Sequence, residues 1–126
     1  MKKILLIEDD PLLSRMYSRL FTIHEYEFLE DLDPQSGLAR AKTEKPDLIL
    51  LDIMMPIMNG LEVLEALKKD PETQNIPVIM ITNVEDDETE KRSKELGAAG
   101  YLVKSRYDPD ETVKYVAKVL KGTTKN

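Results

Sequence analysis

The chain of 126 residues has no cysteine, no tryptophan and a single histidine, and its only other aromatics are five tyrosines and two phenylalanines. Without a thiol, disulfides, thiolate metal sites and thiol nucleophiles are excluded. So few rings leave little for stacking on nucleobases. Positive charge is also in deficit. The net charge of -6 argues against direct binding of a nucleic-acid backbone and suits a basic partner or a bound cation. Nor is there a long apolar run at the start. Met1-Lys2-Lys3 leads into only four apolar residues, Ile4 to Ile7, before Glu8. That is too short for a signal peptide or a membrane span, so the expectation is a soluble cytoplasmic protein without membrane insertion. What the chain does have is 41% apolar and 33% charged residues, at a length that suits one domain with a real core. The expected organisation is a single domain over 1–126 with no output domain.

Short apolar runs alternate with helical patterns. The runs at 3–8, 26–30, 47–51, 77–81 and 100–103 read as strands buried on both faces, because they do not alternate with polar residues. Between them, Leu13, Met16, Tyr17 and Leu20 share one helical face, as do Leu61, Leu64 and Leu67, and Val113, Val116, Ala117 and Leu120. Asp10-Pro11 and Asp33-Pro34 read as N-caps followed by proline in the first turn. Asn59-Gly60 reads as the turn into a helix, and Gly97 and Gly122 read as helix ends. His24 falls near the end of the first helix. The order βα, five times over, implies a doubly wound parallel sheet with helices on both faces. Sites in such sheets form beyond the carboxyl ends of the strands.

Those ends are chemically unusual. The first strand leads into Glu8-Asp9-Asp10, the third into Asp52, the fourth into Thr82 and the fifth into Lys104. Glu30-Asp31 ends the second and is expected to lie to one side. With Asp10 used as a cap, Glu8, Asp9 and Asp52 bring three carboxylates to one crevice. Such charges repel one another unless a hard divalent cation, best Mg²⁺, joins them. Taken alone, the acidic triplet reads as a helix start favoured by the dipole, and Thr82 as ordinary strand threonine. Together with Lys104, these residues are a set suited to phosphoryl transfer, with Asp52 as the nucleophile.

The segments EDD at 8–10, LLDIMMPIMNG at 50–60, MITN at 80–83 and GYLVKS at 100–105 resemble the receiver domain of two-component response regulators. The resemblance covers nearly the whole chain. It implies the flavodoxin-like strand order 2-1-3-4-5. It implies Asp52 as phosphoacceptor from a sensor histidine kinase or a histidine phosphotransfer protein, and a downstream protein as target. Glu8, Asp9, Asp52 and the backbone carbonyl of Met54 would hold Mg²⁺. Thr82 and Lys104 would bind phosphoryl oxygens, with Thr82 and Tyr101 as the switch pair. For Tyr101 a half-buried strand aromatic is the plainer reading. The expected activity is limited to the protein's own phosphorylation and slow dephosphorylation.

The sequence departs from the family pattern in places. Ser105 follows Lys104 where the family usually has proline, so a trans peptide bond is expected there. Asn83 follows Thr82 where a small residue is usual. Met54 and Val84 stand where side chains tune phosphate lifetime, and neither can orient a water, so slow self-dephosphorylation is expected. The helix expected over 85–96 has only Leu96 as a strong apolar residue and leans on pairs such as Glu88–Arg92 and Glu90–Lys94. A degenerate receiver that works without phosphate is the alternative. A flavin mononucleotide carrier would need a phosphate loop where Glu8-Asp9-Asp10 stands. A haloacid-dehalogenase-type phosphatase would want a second aspartate at Met54.

Overall fold

The computed structural model describes residues 1–83 and 85–123. Five strands, β1 (Lys3–Ile7), β2 (Glu27–Asp31), β3 (Leu48–Asp52), β4 (Val78–Thr82) and β5 (Gly100–Val103), alternate with five helices. These are α1 (Pro11–Ile23), α2 (Pro34–Glu44), α3 (Gly60–Lys69), α4 (Asp87–Glu95) and α5 (Pro109–Thr123). The strands form one parallel sheet in the order β2-β1-β3-β4-β5, the doubly wound architecture expected from the sequence. Ile7 pairs with Leu51, Asp52 with Ile81, and Thr82 with Val103, so the ends of β1, β3, β4 and β5 lie level along one edge.

The apolar runs of β1, β3 and β4 are explained by burial on both faces, whereas edge strand β2, expected to be buried likewise, exposes Glu27 and Glu30. Ile4, Leu6, Leu48, Leu50, Ile79 and Ile81 face α1 and α5, against Tyr17, Phe21, Val113, Val116 and Leu120. Leu5, Ile7, Ile49, Leu51, Val78 and Met80 face the other way, against Ala41, Val63, Leu64 and Leu67. Each fully buried side chain of this size contributes roughly 2 kcal/mol of transfer free energy.

Caps set the helix starts as expected. Asp10 accepts from the amides of Leu12 and Leu13, and Asp33 accepts from Ser36, each before a proline in the first turn. Asn59 and Glu62 form a reciprocal capping box on α3. Gly97 ends α4 in the left-handed region, φ 101°, and His24 caps the end of α1.

Several expectations are corrected. Strands 2, 3 and 4 run one residue further than their apolar runs, so Asp31, Asp52 and Thr82 are their last residues. On the expected inward face of α1, Tyr17 is buried and Leu13 and Leu20 pack against the core, but Met16 is turned outward and Ser14 and Phe21 are buried instead. Ser14 tolerates burial because its hydroxyl donates to Glu30 at 2.7 Å. Gly122 lies within α5, one residue before its end. In α4, Glu90 pairs with Lys94 as expected, but Arg92 lies 4.0 Å from Glu95 in place of Glu88.

Candidate functional site

The carboxyl edge of the sheet gathers the charged residues. Asp52, the last residue of β3, is held by its pairing with Ile81 of β4, and Leu51 before it pairs with Ile7 of β1. It is almost wholly buried, as is Glu8 just beyond β1, while Asp9 is half-buried. One oxygen from each of Glu8, Asp9 and Asp52 lies within 4.8 Å of the others. Lys104, just beyond β5, crosses to this cluster. Its ammonium donates to Glu8 Oε1 at 2.9 Å and stands 3.5 Å from Asp52 Oδ1. Thr82, buried at the end of β4, accepts the amide of Lys104 on its carbonyl at 2.7 Å and so ties the two loop starts together.

Electrostatics follow from burial. Desolvation raises the Glu8 carboxyl above its usual range, and the Asp52 charge adds to this against the pull of Lys104. Asp52 is raised by burial too, with its hydrogen bond to Glu8 and the Lys104 charge opposing. Asp9 is raised by burial and by Glu8. For Lys104, burial disfavours the charge, yet Glu8 and Asp52 more than offset it and raise its pKa. Three carboxyls thus share one ammonium, and their protons are held more tightly than in water. Oxygen donors alone, in excess of the local positive charge, fit a hard divalent cation. Glu8, Asp9 and Asp52 are the residues that could hold one.

The remaining expected residues are placed as follows. Met54 is exposed, and its amide approaches Asp52 Oδ1 at 3.4 Å. Tyr101 on β5 is half-buried beside the α3-side core, where burial and the charges of Asp86 and Glu90 raise its phenol. Asn83 is exposed beside Thr82. No cis peptide bond occurs among the described residues, so the Lys104–Ser105 bond is trans as expected. Val84 lies outside the described residues.

Gly60 is a positioning residue that the motif reading took only as a turn. A Cβ there would run into the Asp52 carbonyl oxygen and sit 2.7 Å from Ile53 Cα. Its amide donates to the Ile53 carbonyl at 2.9 Å. The start of α3 therefore braces the chain next to Asp52 only because residue 60 has no side chain. The signal was present in Asn59-Gly60 following an apolar strand, but not its target.

A doubly wound sheet with a buried acid cluster and one lysine at its strand ends defines a switch-point site for a cation and an anionic group. Residues 4–117 match the family model of the response regulator receiver domain, and the chain belongs to that family. It is 37% identical over 123 residues to Protein PilH of Pseudomonas aeruginosa, covering 97% of this chain and all of that protein. It is 34% identical over 123 residues to the DNA-binding dual master transcriptional regulator RpaA of Synechocystis, across 98% of this chain but only 51% of RpaA. The chain thus spans about half of that relative. A solved CheY-like response regulator receiver domain protein from Methanospirillum hungatei superposes with a TM-score of 0.92 at 27% identity, over 99% of this chain and 98% of that one. The chain is therefore a receiver domain of two-component signalling, a family whose members are signalling switches and not metabolic enzymes. Receivers of this family interact with histidine kinases and downstream targets. Among the described residues, no helix is long and apolar enough to cross a membrane.

Proposed function

We propose that Asp52 accepts a phosphoryl group from a phosphohistidine of a sensor kinase or phosphotransfer protein, and that the phosphorylated chain signals by binding another protein in the cytoplasm. The observation that carries this reading is the buried Asp52 at the end of β3, with Lys104 at 3.5 Å and two further carboxylates within 4.8 Å. A carboxylate oxygen of Asp52 attacks phosphorus, the donor's P–N bond breaks, and an aspartyl phosphate forms. Lys104 leaves Glu8 and Asp52 in part to meet the oxygens of the transferred group, and the Thr82 hydroxyl donates to another. Glu8, Asp9, Asp52 and the Met54 carbonyl would hold Mg²⁺, which when bound would neutralise charge on the transferred oxygens. Thr82 moves toward the phosphoryl group, and Tyr101 follows it inward.

The match over the whole length of PilH supports signalling through contact with another protein. Met54, apolar and exposed, cannot orient a water, so the phosphorylated form should last minutes or longer. Decay within seconds at neutral pH would contradict this.

Intact mass after incubation with Mg²⁺ and acetyl phosphate tests the chemistry. The parent should gain one phosphoryl group and Asp52→Asn none. No gain by a folded parent would select the second reading, an interaction module independent of phosphate, which Asn83 and Ser105 motivate.

A further inference from the structure

The loop from β3 to α3 carries apolar side chains that the acid site does not use. Met54 is 62% exposed and Ile57 is 96% exposed. Ile57 is also held at φ 72°, a left-handed backbone that a β-branched residue adopts only under strain. Beside this loop is a groove of about 440 Å³ whose walls include Ile53, Met54, Met55, Pro56, Leu61 and Thr89. It continues past Leu61 and Thr89 into a second depression between α3 and α4, bordered by Asp86 and Glu88.

The charges around the groove are mostly negative. Asp86, Asp87 and Glu88 stand at the start of α4, and among the described residues none of them forms an ion pair; Glu62 caps α3 alongside. Beyond Met54 lies the acid cluster, where three carboxylates share Lys104. On the other side Lys91 and Arg92 contribute positive charge, with Arg92 drawn to Glu95. An apolar floor lined by methionine adapts to varied side chains, and helical partners dock in such floors through residues at i, i+3, i+4 and i+7.

We propose that this groove docks a basic amphipathic helix of a partner protein, with apolar side chains against Met54, Met55 and Leu61 and basic ones toward Asp86, Asp87 and Glu88. The proposal rests on the signalling reading for its purpose, since the partner would be the switch's target. It also explains how the target senses the site: the Met54 amide points at Asp52 Oδ1, so any change at Asp52 reaches the groove wall within two residues.

The test uses the full, unphosphorylated chain and a synthetic helical peptide built of leucine and lysine in amphipathic order, with a leucine–glutamate peptide as control. Amide shifts of the ¹⁵N-labelled chain report where the peptide binds. The expected result is shifts confined to residues 53–61 and 86–92 with the lysine peptide, and none with the glutamate peptide. Leu61→Glu separates seating from mere attraction. It adds negative charge, which alone would tighten binding of a cationic peptide. Loss of a hydrophobic wall should instead weaken binding about tenfold, while Leu12→Glu on exposed α1 leaves groove binding intact. The same spectrum shows that each variant is folded. Shifts on α1, shifts that depend on protein concentration without peptide, no binding, or tighter binding by Leu61→Glu would each overturn the proposal. Phosphorylation of Asp52 is read separately by mass, so either conclusion can fail without the other.

Discussion

At the scale of the residue, Asp52 holds its position against its own solvation. Burial is the largest influence on its carboxyl and raises its pKa from the ordinary 3.8, while Lys104 and Glu8 pull the other way. The folded chain therefore keeps the Asp52 proton to higher pH than the unfolded chain does. Folding is favoured below the unfolded value, and that advantage is lost as pH rises through the folded one. Asparagine carries no charge to bury. Lys104 would not be orphaned by the exchange, because it still donates to Glu8 at 2.9 Å. With divalent cations chelated, Asp52→Asn should be more stable than the parent at pH 7 by about 1 kcal/mol, with a Tm roughly 4 °C higher. The difference should shrink as the pH is lowered toward 4. Calorimetry across that range decides it. A less stable Asp52→Asn at pH 7 would mean that pairing with Lys104 outweighs burial.

At the scale of the element, β3 and α3 set Asp52 between them. Gly60→Ala forces a methyl against the Asp52 carbonyl and Ile53 Cα, both backbone, so neither can swing aside. A loss of about 2 kcal/mol in urea unfolding is expected, together with slower mass gain from acetyl phosphate. Lost stability with unchanged phosphorylation would show that the loop absorbs the strain away from Asp52. Helix α4 is the opposite case. Ser93 is its one buried residue among those described, and its start is an acidic turn. Its amides should exchange with solvent through openings at least about 2 kcal/mol cheaper than those of β3. Equal protection in a hydrogen-exchange experiment would refute a loosely held α4. The same two elements show what was legible in the sequence. The βα alternation, the caps at Asp10 and Asp33, and the acids at strand ends could be read directly, because periodicity and capping are local. The face of α1 was right for Leu13, Tyr17 and Leu20, but apolarity misplaced Met16, since Ser14 takes an inward place through Glu30 while Met16 does not. Apolar runs stop before Asp31, Asp52 and Thr82, but strand pairing continues through them, because backbone hydrogen bonding ignores side-chain polarity. The contact of Gly60 with Asp52 is tertiary, and no local pattern encodes it.

At the scale of the whole molecule, a net charge of -6 and a site of three carboxylates with one lysine make two different demands on cations. General screening relieves the first, and any salt supplies it. Only a bound ion relieves the second, because the carboxylates of Glu8 and Asp52 are removed from solvent. The two are separable by linkage. An ion that binds the folded chain alone stabilises it by about 2.7 kcal/mol at one hundred times its Kd, which for a chain of this size raises Tm by about 10 °C. Mg²⁺ should therefore raise Tm well beyond NaCl at matched ionic strength. Asp9→Asn and Asp52→Asn should each reduce that excess, because each replaces one of the three clustered carboxylates by a neutral amide. Asp110→Asn, an exposed acid in the first turn of α5, removes the same charge from the molecule and should leave the excess intact. Equal shifts from Mg²⁺ and NaCl, or an excess unmoved by Asp9→Asn, would show that the acid cluster responds to ionic strength alone. The site would then be a patch of negative potential and not a cation site, and the proposed phosphoryl transfer would lose its counter-charge.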